Sequence, residues 1–240
     1  MVGPDIYVEN ASAMWRAVAP DTHLVQAYSR ADLPRMTRLV LREPMSAESV
    51  SRLLDQAPST KSVVVEDVFG GHTALPASAA RILRMPVMVR PAGTVPAAAD
   101  ETVRIVEVKH PDELVVAERI IVEGFPVSAL LPWRRGEALP PHLLRVSHWK
   151  VWLAYRQGEP VAAGYTYDDG RAVGLYWLVT SPEHRSAGLA RALLTRAVRA
   201  YPDRPFTLVA TDAGLSLYKS LDFRSVATAT WYMRSPVSDG

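Results

Sequence analysis

Apolar and polar positions change period several times along the chain, and each change marks an element. Residues 175–180 are short, aromatic and β-branched and lie between Gly174 and Pro182, which reads as a buried strand. From Leu189 the spacing turns helical. Leu189, Leu193 and Ala197, flanked by Ala190, Leu194 and Val198, make one stripe, with Arg191, Arg196 and Arg199 off it. Between strand and helix, residues 185–190 are small and mostly uncharged, so their backbone N–H groups can approach a ligand at the positive end of the helix dipole. A pyrophosphate suits that junction.

Upstream, residues 103–108 alternate as a strand, and Pro111, Asp112 and Glu113 open a helix that carries Leu114, Ala117 and Ile121 on one face and ends at Gly124. Residues 125–141 form a long loop rich in Pro, Arg and Gly, of the kind that shapes a pocket mouth. Residues 149–155, 161–167 and 172–180 read as a three-strand meander, turning at Gln157-Gly158-Glu159 and at Asp168-Asp169-Gly170. In the first half the pattern predicts a short helix over 11–19 capped by Ser12, a strand over 37–42 and a helix over 46–56 capped by Ser46. Strands follow over 62–66 and 84–90, and Pro86 places the second at a sheet edge or a bulge.

Two signatures together resemble the GNAT N-acetyltransferase superfamily. Arg185-x-x-Gly188-x-Ala190 after an apolar strand is similar to the family's acyl-CoA pyrophosphate loop. Downstream of an apolar strand, Gly214-x-x-Leu217-Tyr218-x-x-Leu221-Asp222-Phe223 is similar to its closing helix. The resemblance spans residues 102–234 and implies an α/β fold with a mixed sheet of the α+β kind. It also implies acetyl-CoA as the cofactor, an N-acetyltransferase reaction by direct attack, and a small-molecule amine as the acceptor. Backbone groups of Leu178, Val179 and Thr180 would then pair with the pantetheine arm, and Arg185, Ser186, Ala187, Gly188, Leu189 and Ala190 would hold the diphosphate. Tyr218 takes the family's general-acid position, packing in the core being its alternative role.

Three departures from the family pattern bear on mechanism. Trp177, next to Tyr176, stands where many relatives carry an acid, so the strand offers no carboxylate and an aromatic wall replaces it. Thr211 replaces a common Asn, and Asp222 replaces a Gly, so that turn is expected to be built differently. Glu123, an acid disfavoured at a helix end, is the candidate base, a solvated surface charge its alternative. Trp133, Tyr176 and Trp177 are the candidate acceptor-pocket residues, although the tryptophans and tyrosines of the meander are equally explained as core. The same features admit a second class, a non-catalytic acyl-CoA-binding or interaction module.

The halves repeat each other. Residues 63–67 correspond to 208–212, and Met88 and Pro91 follow Asp67 as Met233 and Pro236 follow Asp212, unless two strand–helix–strand pieces are alike by chance. The first copy lacks Arg-x-x-Gly-x-Ala. Residues 1–92 are therefore expected to be a degenerate half and 101–236 the functional domain, joined through the small-residue stretch 93–100.

Composition mostly excludes. The chain has 240 residues, 48% hydrophobic and 22% charged, as globular proteins do, and a formal charge of +2 that favours neither nucleic acid nor an anionic membrane. With no cysteine there are no disulfides and no thiolate sites, and a cytoplasmic location is expected. No run is long and apolar enough to span a bilayer. His142 and His148 lack metal-ligand spacing, no metal is expected, and a homodimer is admitted.

Overall fold

Strand patterns that bury alternate side chains on opposite faces build one eleven-stranded sheet, ordered β1-β2-β3-β4-β11-β5-β10-β9-β8-β7-β6. The computed structural model describes residues 3–19, 23–70, 75–95, 103–125 and 128–236. The first half supplies α1 (Asp5–Val18), β1 (His23–Leu24), β2 (Tyr28–Asp32), β3 (Met36–Leu41), α2 (Ala47–Gln56), β4 (Ser62–Asp67) and β5 (Arg81–Arg90). The second supplies β6 (Val103–Glu107), α3 (Pro111–Gly124), β7 (Trp149–Arg156), β8 (Glu159–Asp168), β9 (Val173–Thr180), α4 (Leu189–Arg199), β10 (Phe206–Val209), α5 (Leu215–Lys219) and β11 (Arg224–Arg234). No described helix is long and apolar enough to cross a membrane.

Side-chain alternation assigns the helices to faces. Val40 and Val64 pack with α1 and α3, whereas their neighbours Leu39, Leu41, Val63 and Val65 pack with α2. Likewise Val151 and Leu153 join the α1–α3 core, and Trp152 and Ala154 pack under α4. Tyr218, Leu221 and Phe223, in and after α5, share a cluster with Val173, Leu175 and Leu194. Thus α1 and α3 cover one face and α2, α4 and α5 the other.

Read inward from either side, β1-β2-β3-β4-β11 and β7-β8-β9-β10-β5 repeat one arrangement, with β6 added outside β7. In each copy one pair is parallel, β3 with β4 and β9 with β10. The halves exchange their last strands: β5 pairs with β10 of the second half, and β11 runs between β5 and β4 of the first. The boundary expected at 93–100 thus separates two stretches of chain that share one sheet, and residues 96–100 lie outside the described residues.

Most expected elements form where the periodicity places them, and Ser46 caps α2 by accepting from the Ser49 N–H at 3.1 Å, worth about 1 kcal/mol. Three expectations are corrected. The first helix starts at Asp5, and Ser12 is buried within it, accepting from Ser29 Oγ at 3.0 Å rather than capping. Strand β5 is interior, not an edge. The Pro86 carbonyl accepts from Ala210 N–H at 3.0 Å just past the end of β10, so its missing donor falls where that ladder already stops, while β11 bulges nearby at Ser225/Ala227. Asp222 takes the left-handed conformation itself (φ 65°), so the turn before Phe223 keeps the geometry for which glycine is usual.

Candidate functional site

Strands β9 and β10 pair at Val173 and Gly174 only, then diverge. In the first copy β3 and β4 stay paired from Met36–Ser62 to Val40–Glu66, so no comparable gap opens there. The divergence of β9 is built by a bulge. Ala163 and Tyr165 of β8 face Val179 and Tyr176, leaving Trp177 and Leu178 opposite Gly164, with Trp177 at φ 46°. Gly174 anchors the strand below the bulge, because a Cβ there would meet Asn10 Oδ1 at 2.0 Å. Asn10, from α1, donates to the carbonyls of Tyr167 and Ala172 and accepts from Tyr176 Oη at 2.7 Å.

A cavity of about 830 Å³ follows the gap. One end is lined by Leu178, Val179, Thr180, Arg185, Ser186, Gly188, Leu189 and Ala190, with His184 and Arg191 beside them. Ser186 (φ 63°) and Gly188 (φ 75°) are both left-handed just before α4, a backbone geometry that can cradle an anion at a helix start. A Cβ on Gly188 would meet nothing within 4 Å, so the cradle is open. Of the expected loop residues, Ala187 does not line the cavity and packs instead on the core under α4.

Tyr218 stands in the middle of this wall, with Thr211, Gly214 and Leu217 nearby. Its ring packs on Phe223 at 5.7 Å, and burial pushes its hydroxyl up to about 12, so it is a protonated phenol at neutral pH. Tyr176 and Trp177 also line the cavity. Trp177 stacks on Phe125 at 6.3 Å and meets Trp15 edge-on at 6.1 Å.

Two expected site residues lie elsewhere. Glu123 is on the outer surface of α3, paired with Arg119 at 2.9 Å, and does not line the cavity, so it is not placed to act as a base. Trp133 donates to Glu118 at 3.2 Å and packs with Leu130 and Ala138, also away from the cavity. Glu118 has a structural task. Buried at 1% exposure, it accepts from the N–H groups of Gly136, Ala138 and Leu139 at 2.8–2.9 Å and so holds the long loop. Arg35 of the first half grips the same loop through Glu137 and the carbonyls of Leu130, Leu131 and Pro132. Trp149, Trp152 and Tyr165 are core, and His142 donates to the Ala17 carbonyl at 2.9 Å.

The other end of the cavity comes from residues that the sequence reading passed over: Tyr7 of α1, Trp15 of α1, Arg38 of β3, Glu66 of β4 and Trp231 of the exchanged β11. Glu66 is 1% exposed, accepts from Arg38 Nη2, and accepts from Tyr7 Oη at 2.6 Å. Burial drives the Tyr7 hydroxyl upward and pulls the Arg38 guanidinium down to about 10, which leaves it cationic at neutral pH. A charged residue at an interior position of each of two mostly apolar strands was the available signal. Arg38 and Glu66 share the side-chain parity of Val40 and Val64, so they stand on the α1–α3 face. The cavity thus passes through the sheet, from the α4 face to the α1 face.

Residues 147–225 match the family model described as Acetyltransferase (GNAT) domain, a stretch that runs from just before β7 into β11 and contains the loop and Tyr218. No curated protein matches the chain. Among solved structures, the chain is similar to a GCN5-related N-acetyltransferase from Kribbella flavida, at 18% identity and TM-score 0.66 over 97% of this chain and 96% of that one. It is similar to a GNAT-family protein from Novosphingobium aromaticivorans, at 16% identity and TM-score 0.62, over 96% and 99%. A tandem GNAT protein from the clavulanic acid biosynthesis pathway aligns over 100% of this chain and 91% of its own, at 12% identity and TM-score 0.56.

Proposed function

We propose that the chain, of which residues 147–225 match the GNAT domain model and whose fold is similar to that of GNAT structures, is an acetyl-CoA-dependent N-acetyltransferase acting on a small-molecule amine. The observation that carries the reading is the continuous cavity, which joins an open anion cradle to a buried polar and aromatic end by way of Tyr218. The residues present fit acetyl-CoA. Left-handed Ser186 and Gly188 suit amides that meet a diphosphate, Arg185, Arg191 and His184 stand at that end, and among the described residues no carboxylate lines it. Beyond Gly174 no described strand pairs with one edge of β9, so the backbone of Leu178, Val179 and Thr180 can bond a pantetheine arm as a further strand would.

When bound, acetyl-CoA supplies an activated acetyl thioester. Protein groups would then have two tasks: a β9 amide would polarise the thioester oxygen, and Tyr218, protonated at neutral pH, would give its proton to the departing sulfur and regain one from the proton that the amine nitrogen loses. No covalent intermediate on the protein is required. Deprotonation of the acceptor falls to ordered water or precedes binding, because the carboxylate that lines the cavity, Glu66, has both oxygens engaged. The cysteine-free chain is in line with a reducing cytoplasm.

That engagement also favours a second reading, an acyl-CoA-binding module without turnover. Isothermal titration with acetyl-CoA, followed by thiol release over a panel of amines, separates the two. Binding with turnover supports the enzyme and binding without it the module. Absence of binding sinks both.

A further inference from the structure

The end of the cavity on the α1 face needs its own account, because the first half builds it. We propose that Arg38 recognises the acyl acceptor by holding a carboxylate on it, so that the acceptor is an amine that also bears a carboxylate. This rests on the acetyltransferase reading above.

Arg38 is 6% exposed and lines the cavity. A guanidinium presents five N–H donors. Among the described residues Glu66 is the single hydrogen-bond acceptor of Arg38, and Nε has none. A desolvated cation with donors left over is costly, and a ligand oxygen would complete the set. Glu66 is not the free group. Its oxygens are taken by Arg38 and Tyr7, which makes Glu66 and Tyr7 positioning residues that fix the guanidinium.

Shape and charge narrow the ligand. The guanidinium lies 4.3 Å from the Trp231 ring centroid and 5.1 Å from that of Trp15, so two indoles flank it, and the edge that carries the unpartnered Nε is left for recognition. A planar carboxylate matches that edge with two parallel hydrogen bonds. Arg38 and Glu66 together are neutral, so a carboxylate adds one negative charge to the site and a phosphate dianion two, which makes the monoanion the less costly ligand beside Glu66. Trp15, Trp177 and Trp231 wall the same space, which suits an apolar or aromatic body between amine and carboxylate.

The test needs no turnover. The full chain is titrated with N-acetyl-L-phenylalanine, which mimics an acetylated product, and with its neutral primary amide. The acid is expected to bind the unaltered protein at least about ten-fold more tightly than the amide, the discrimination a lost charge-assisted pair represents. Arg38→Met is expected to erase the difference while acetyl-CoA affinity stays the same. Because that variant strands Glu66 without its partner, Arg38→Met/Glu66→Gln is the second test, with circular dichroism confirming the fold and the same loss expected. Equal binding of acid and amide, no binding of either, or discrimination kept in a folded variant overturns the proposal. Loss of acetyl-CoA binding by the unaltered protein would instead overturn the acetyltransferase reading, and the acid–amide comparison would still report on Arg38.

Discussion

Tyr218 concentrates the proposed chemistry at the scale of one residue. The residue lines the cavity, and burial pushes its hydroxyl up to about 12, so it holds its proton throughout the neutral range. Tyr218→Phe keeps the ring against Phe223 but removes the donor. Turnover is expected to fall about 10²-fold with acetyl-CoA affinity nearly constant, as steady-state kinetics beside calorimetry would show. An unchanged rate would reduce Tyr218 to packing. Residues whose position follows from a local motif, such as Tyr218 and Gly188 in the cavity wall, were legible in the sequence. Glu123 and Trp133 were misread, because an ion pair to Arg119 and a hydrogen bond to Glu118 claim them, and both depend on how α3 and the long loop sit.

The junction of β9, its following loop and α4 is the element on which the proposed cofactor binding turns. Gly188 has a left-handed backbone and open space where a side chain would go, so Gly188→Asp adds both backbone strain and a carboxylate facing the proposed diphosphate. We expect acetyl-CoA affinity to drop at least about 100-fold while the melting temperature changes little, read by titration and calorimetry. Undiminished affinity would remove the loop from the site. Element types and most boundaries followed from periodicity, since a strand or helix buried on one face must show its period in sequence. The bulge at Trp177 was not visible that way. It exists because Leu178 must pass Gly164 closely while the paired residues on either side keep register.

For the whole molecule, strand exchange makes the halves interdependent. Residues 3–95 alone lose β11 from between β4 and β5, and residues 96–240 alone lose β5 from between β10 and β11, so each is expected to be insoluble or unfolded by itself. Co-expressed, the two should co-purify as one folded species, and separately folded halves would contradict the shared sheet. A second expectation concerns alkaline pH. Burial raises Tyr7, Tyr165, Tyr176 and Tyr218, so deprotonation favours the unfolded chain. Their contribution is complete below pH ~10 and is lost as pH rises through the raised values, on the order of 1 kcal/mol per fully buried tyrosine per pH unit. The urea midpoint should therefore hold between pH 8 and about 10 and fall steeply above it, and a flat profile to pH ~11.5 would refute this. The sequence by itself determined the strand–loop–helix cradle, the closing helix with Tyr218 and the repeat between halves, because each is a local pattern whose physics acts between near neighbours. Tertiary structure alone decided that β5 and β11 trade places and that Arg38 and Glu66 meet Trp15, Tyr7 and Trp231 at the far end of the cavity. Those contacts join residues far apart in the chain, and only the pairing of the strands sets which of them share a face.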